Sequence, residues 1–138
     1  MIKIRELDHV VLRVSDMDRM IDFYCRVLGC TLEKRQDKFG LVQLRAGNSL
    51  VDLVDVDGVL GRAGGAPPGG GGRNVDHFCF RLEPFDPDLI KTHESCGVEP
   101  GQLASRYGAE GQGPSFYVSD PEGNTVELKG PPDLGVSA

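Results

Sequence analysis

Two Asp-His doublets, Asp8-His9 and Asp76-His77, stand 68 positions apart in this chain. Two acids, Asp52 and Glu127, stand 75 positions apart, each between valine and leucine (Val51-Asp52-Leu53, Val126-Glu127-Leu128). Neutral imidazole supplies nitrogen and carboxylate supplies charge, a donor set suited to a divalent ion such as Zn, Ni, Mn, Fe or Co. Four protein donors leave two positions of an octahedron for water or substrate, which metal catalysis requires. Taken singly, a strand histidine is more often a packed or surface residue, and a strand carboxylate is usually solvated. The repetition of both pieces makes one arrangement account for His9, Asp52, His77 and Glu127 together. Arg13 and Arg81 repeat at the histidine spacing; they either hold nearby carboxylates or meet an anionic substrate.

The elements that would carry these residues follow from periodicity. Leu7 to Val14, LDHVVLRV, alternates as a strand, with Val10, Leu12 and Val14 on one face and His9, Val11 and Arg13 on the other. Met17, Met20, Ile21, Tyr24, Val27 and Leu28 recur at helical spacing behind Ser15-Asp16 and before Gly29, which predicts a helix over 16–28. Thr31 to Gln36, Leu41 to Ala46 and Ser49 to Val56 read as three further strands. Val75 to Leu82, VDHFCFRL, then repeats the first strand almost type for type. A second helix is expected from the Asp86-Pro87 cap through Leu89, Ile90, His93 and Cys96 to Gly97. After it come a short strand near Val98–Glu99, a polar glycine-rich loop over 101–113, and a closing hairpin. That hairpin pairs Ser115–Val118 with Thr125–Lys129 across the Asp120-Pro121-Glu122-Gly123-Asn124 turn. The chain therefore reads as two copies of strand, helix and three strands, α+β in class. Module one covers about 5–57 and module two about 75–130 of a single domain. Alternation places His9 and Asp52, and likewise His77 and Glu127, on the face opposite the packed apolar residues.

Residues 58–74, GVLGRAGGAPPGGGGRN, are expected to order poorly and to connect the modules. No Gly-Lys-Ser/Thr ending marks a phosphate loop there. The 138 residues suit one domain with a real core. No apolar run is long enough to span a membrane and no signal peptide opens the chain, so a cytoplasmic protein without a membrane partner is expected. A net charge of -6 and a pI near 5.0 argue against nucleic acid as partner. Cys25, Cys30, Cys79 and Cys96 form no Cys-x-x-Cys pair and read as reduced thiols. Cys79 shares a face with His77, but nothing marks it as a nucleophile.

On LDHVVLRVSDMDRMIDFYCRVLG (7–29), VDHFCFRL (75–82) and SFYVSDPEGNTVELKG (115–130), the chain resembles the vicinal oxygen chelate superfamily of glyoxalase I, bleomycin and fosfomycin resistance proteins and extradiol dioxygenases. The resemblance covers nearly everything outside 58–74. It implies two βαβββ modules forming a cupped mixed sheet around a divalent metal, with His9, Asp52, His77 and Glu127 as ligands, usually in a homodimer. Glyoxalase I enzymes share their sites between subunits, which would pair His9 and Asp52 of one chain with His77 and Glu127 of another. His9-x-x-x-Arg13 is similar to glyoxalase I, whose arginine helps bind the glutathione carboxylate. Two positions depart from that pattern: the second ligand there is Glu or Gln where this chain has Asp52, and an asparagine four positions on is Val56 here. The leading expectation is a metal-dependent lyase or isomerase acting on a small molecule with vicinal oxygens through an enediolate, with Glu127 as ligand and proton carrier. The alternatives are an extradiol-type dioxygenase with two histidines and one carboxylate on Fe(II), and a protein that sequesters a drug or metabolite.

Overall fold

Strand patterning of the first 56 residues produces a four-stranded mixed sheet. The computed structural model describes residues 1–69, 71–86, 88 and 96–133. Strands β1 (His9–Val14), β2 (Thr31–Gln36), β3 (Leu41–Ala46) and β4 (Ser49–Asp55) assemble in the order β1-β4-β3-β2. The outer β1 runs parallel to β4, while β4–β3 and β3–β2 are antiparallel. Parallel pairing needs a crossover, and the helical segment after β1 begins it. Asp16 caps that segment by accepting from the Arg19 N–H at 3.1 Å. The expected single helix is α only over α1 (Met17–Asp22); Phe23–Val27 continue it as a π turn. Tyr24 and Met20 are fully buried against the face that carries Val14, Leu44, Val51 and Leu53. Burying side chains of this size contributes roughly 1.5–3 kcal/mol each.

Contacts divide the chain into two compact units, Met1–Gly72 and Arg73–Ala138. The second unit repeats the topology: β5 (Phe78–Arg81), β6 (Ala104–Gly108), β7 (Gly111–Ser119) and β8 (Thr125–Lys129) form a sheet in the order β5-β8-β7-β6. Again the outer strand is parallel to the last one and the rest are antiparallel. Phe116, Val118, Val126 and Leu128 are buried on its apolar face, where Phe85 meets the Phe116 ring edge-on. Both units are thus built on a mixed sheet, and the fold as a whole is α+β.

Several expected boundaries move. β1 begins at His9 rather than Leu7, and β5 begins at Phe78, so His77 stands just before its strand. Val98 and Glu99 lie in no strand; β6 falls instead at Ala104–Gly108, inside the stretch expected to be loop. The expected second helix, with His93, lies outside the described residues. The 120–124 turn is as anticipated, and its chemistry is specific. Asp120 Oδ1 accepts from the Glu122 and Asn124 N–H groups, both at 2.9 Å, and Oδ2 accepts from Asn124 Nδ2 at 2.8 Å. Gly123 takes the positive φ of 86° that closes the turn.

The glycine-rich link also departs from expectation. Its first part turns through a short 3-10 segment, Gly61–Gly64, and Gly61 is buried against the Asp55 carbonyl with no room for a side chain. The backbone of Gly61, Gly65 and Ala66 is therefore held by Arg13, while the side chains around Gly61 stay exposed.

Candidate metal centre

In the first unit, the register pairs His9 with Leu50, Val11 with Asp52 and Arg13 with Val54, so all six stand on one face of the sheet. This is the face opposite Val10, Leu12 and Val14, as alternation requires. His9 is exposed, and its Nδ1 lies 2.7 Å from Asp8 Oδ2. That hydrogen bond raises the His9 pKa above its ordinary value, with a smaller upward push from the Asp52 charge and an opposing one from desolvation. Asp52 is 6% exposed and accepts from Gln43 Nε2 at 3.2 and 3.3 Å, one bond to each oxygen. Gln43 sits directly across from it on β3.

In the second unit, the register places Cys79, Glu127 and Tyr117 side by side on β5, β8 and β7. His77 Nδ1 lies 2.8 Å from Asp76 Oδ2, and its Nε2 lies 3.2 Å from Glu127 Oε1. Glu127 is 6% exposed. The His77 ring meets Tyr117 edge-on, with centroids 5.2 Å apart. Tyr117 stands directly across from Glu127 on β7. Burial first and the Glu127 charge second raise the Tyr117 pKa, so the phenol stays a donor. Arg106 stacks on the other side of this group, its guanidinium 4.6 Å from the Tyr117 centroid and its Nη1 donating to Ser115 O at 2.6 Å. A cleft of about 350 Å³ opens beside Tyr117, lined by Glu99, Pro100, Gly101, Val118 and Ser119. Cys79 is no nucleophile here: desolvation, then the Glu127 charge, pushes its thiol up to about 11.

The chemistry of the second pair tests whether a cation fits. With the ring proton on the Asp76 side, the Nε2 lone pair would point at a Glu127 oxygen; with both nitrogens protonated, Nε2 donates to that oxygen instead. Two acceptors face each other stably only with a proton or a cation between them. Two ligands about 2.0–2.1 Å from one ion lie about 3.0–3.4 Å apart, depending on octahedral or tetrahedral geometry. The 3.2 Å separation falls inside that window. Carboxylate-backed imidazoles are also the usual outer arrangement of histidine metal ligands. The donors therefore fit a divalent ion. Each unit offers one imidazole with a strand carboxylate, and among the described residues no group of three or more His, Cys, Asp and Glu side chains is placed so that it could hold a metal ion.

Arg13 and Arg81 both have partners close by. Arg13 donates to the carbonyls of Gly61, Gly65 and Ala66 at 2.9, 2.6 and 3.2 Å. Arg81 donates to Glu110 Oε1 and to its neighbour's carbonyl, Leu82 O, both at 2.6 Å. Sequence reasoning saw the repeated Asp8 and Asp76 without giving them a task; their adjacency to the histidines was the available signal. Gln43 and Tyr117 were missed because only strand register brings them to the acids, and Arg106 because it reaches Tyr117 from the neighbouring β6.

Known proteins share this architecture over most of the chain. A glyoxalase domain-containing protein of Mycosarcoma maydis is 29% identical over 128 residues, 92% of this chain and 69% of that protein. A lactoylglutathione lyase of Arabidopsis thaliana is 32% identical over 134 residues, 90% of this chain but 44% of that protein, so this chain spans less than half of that relative. An integron cassette protein from the mobile metagenome of V. cholerae superposes with a TM-score of 0.75 at 30% identity, covering 94% of this chain and 98% of the other. The family model described as Glyoxalase/Bleomycin resistance protein/Dioxygenase superfamily matches residues 6–128, and the chain belongs to that superfamily.

Proposed function

We propose that the chain is a divalent-metal-dependent enzyme of the glyoxalase type, working as a homodimer on a small substrate with two vicinal oxygens. His9, Asp52, His77 and Glu127 are the donors in this reading. The observation that carries it is His77 Nε2 held 3.2 Å from Glu127 Oε1, with the Asp76 carboxylate on the ring's other nitrogen. When bound, the ion supplies Lewis-acid stabilisation of negative charge on the vicinal oxygens. Glu127 takes a proton from the adjacent carbon and returns it, which suits a buried carboxylate beside Tyr117. Asp8 and Asp76 orient the two imidazoles. The kinship with a lactoylglutathione lyase at 32% identity supports the reaction class.

A second reading has one observation in its favour. Both Asp52 oxygens are already engaged by Gln43, which suits a site of two histidines and one carboxylate, the set of extradiol-type Fe(II) oxygenases. Elemental analysis of the purified protein separates these readings. Near-stoichiometric zinc, nickel or manganese, lost in a His9→Ala, His77→Ala variant and accompanied by turnover of 2-oxoaldehyde–thiol adducts, is the expected result. Iron with oxygen uptake on catechols would support the second reading. Protein that stays metal-free after incubation with divalent ions would sink both, in favour of a sequestering protein.

A further inference from the structure

Two of the four cysteines stand at the two ends of one tight turn. The helical segment closes at its C-cap Leu28, Gly29 takes a φ of 81°, and Cys30 immediately precedes β2. In a helix end of this kind the residue two past the cap commonly packs on the residue three before it, and those positions are Cys30 and Cys25. The backbone hydrogen bonds limit how far apart the two can be. The Gly29 N–H donates to Cys25 O at 3.1 Å and the Cys30 N–H to Tyr24 O at 2.8 Å. Across a trans peptide the Tyr24 oxygen lies about 2.8 Å from the Cys25 Cα, and the Cys30 nitrogen lies about 1.5 Å from its own Cα. The Cys25–Cys30 Cα separation is therefore at most about 7 Å with every step in line, and shorter at any bent angle. Disulfides usually bridge Cα atoms about 4.4–6.8 Å apart.

The two thiols differ in access. Cys25 is partly exposed, whereas Cys30 is 5% exposed. Burial, and then the charge of Cys25, pushes the Cys30 thiol up to about 11, so the two sulfurs lie within electrostatic reach of each other. Burial first and the Asp22 charge second raise Cys25 as well. Both thiols are therefore slow towards a free oxidant, and about one Cys30 in ten thousand is thiolate at pH 7. Proximity alters the second step of an oxidation and not the first. A well-oriented neighbour reacts at an effective concentration that reaches about 10⁵–10⁸ M, which outweighs that deficit.

We propose that Cys25 and Cys30 form a dithiol redox site whose co-reactant is a hydroperoxide. The Cys25 sulfur attacks a peroxide oxygen, the O–O bond breaks, and Cys25 becomes a sulfenic acid with release of water. The Cys30 sulfur then attacks the Cys25 sulfur. The S–S bond forms, the S–O bond breaks, and the hydroxyl leaves as a second water with the Cys30 proton. Two electrons pass from the two sulfurs to one hydrogen peroxide. An external thiol reverses the reaction by attack on the more exposed Cys25 sulfur. The cross-link ties the last turn of the helical segment to the residue that enters β2. The pair lies outside the strands of His9 and Asp52, so a protein found to be metal-free leaves the expectation for this site unchanged.

Trypsin separates the pair, because Arg26 falls between the two cysteines. Cys25 leaves in peptide 20–26 and Cys30 in peptide 27–34, so a disulfide joins two peptides that are otherwise apart. The full-length protein, held with a chelator, is exposed to hydrogen peroxide, freed of it, alkylated in denaturant and digested without reductant. The expected product is the 20–26 and 27–34 peptides joined, lost on treatment with dithiothreitol. Cys30→Ser is expected to leave Cys25 as a sulfenic acid that dimedone traps about tenfold more than in the wild type. Cys25→Ser is expected to slow oxidation of Cys30 by about tenfold or more, since the buried thiol then meets peroxide alone. Wild-type protein in which both cysteines are still alkylated at a peroxide dose that oxidises Met17 would overturn the site. Linkage of either cysteine to Cys79, Cys96 or a second chain in place of the pair would overturn it as well. Dimedone labelling unchanged in Cys30→Ser, or Cys30 oxidised at the wild-type rate in Cys25→Ser, would overturn the order of the steps. Should a serine variant fail to fold by circular dichroism, alanine replaces it with the same expectation, and the joined peptides of the wild type are read in either case.

Discussion

In the first unit the acid of the last strand is Asp52, and its neighbour across β3 is Gln43; in the second the acid is Glu127, and its neighbour across β7 is Tyr117. The strand order around them is the same, and so is the aspartate behind each histidine. What differs is the reach of the acid and the partner that holds it. Glu127 is one methylene longer and arrives within 3.2 Å of His77 Nε2. Asp52 makes its hydrogen bonds to an amide, and its influence on His9 is through charge alone. A repeated fold thus leaves one acid within 3.2 Å of its histidine and the other engaged by an amide.

The comparison breaks most visibly at the acids. Glu127→Gln is expected to lower metal affinity by on the order of 100-fold or more and to abolish turnover, because outer partners of ligands already account for about 10–100-fold. Asp52→Asn should cost clearly less, and equal losses by calorimetric titration would make the two halves equivalent. Next in size is the outer pair. Asp76→Asn should lower affinity by about 10–100-fold through loss of imidazole orientation, with Glu127 still in place. If affinity were unchanged, Asp76 would be a surface acid and nothing more. The smallest effect is on protonation. In metal-free protein Asp8→Asn should bring the raised His9 pKa down toward the ordinary 6.5, as read by NMR titration. Since the folded-state value is raised, the Asp8–His9 bond stabilises the fold below the unfolded pKa and fades as pH climbs through the folded one. The variant should therefore lose stability on the acid side only.

Strands with strong alternation were legible without coordinates. Thr31–Gln36 and Leu41–Ala46 stand as read, and Ser49 starts β4 as expected. β6 was not legible: Ala-Ser-Arg-Tyr-Gly carries no apolar alternation, and it becomes a strand because β7 offers it a paired edge. The segment after α1 kept its helical spacing but not its α geometry. Composition alone made 58–74 a tether, and the structure corrects this at Gly61, Gly65 and Ala66. A glycine run can pack tightly when a neighbouring arginine donates to its carbonyls, and composition does not register that donor.

The sequence by itself determined the duplicated α+β plan and the residue types available for chemistry, because periodicity and repetition are local properties written residue by residue. Only the tertiary structure decided which side chains serve them: Gln43 beside Asp52, Tyr117 beside Glu127 with Arg106 on its ring, and Arg13 on the link rather than on an acid. Those partnerships depend on strand register and on the path of a loop, and both are set by burial of residues far away in the chain.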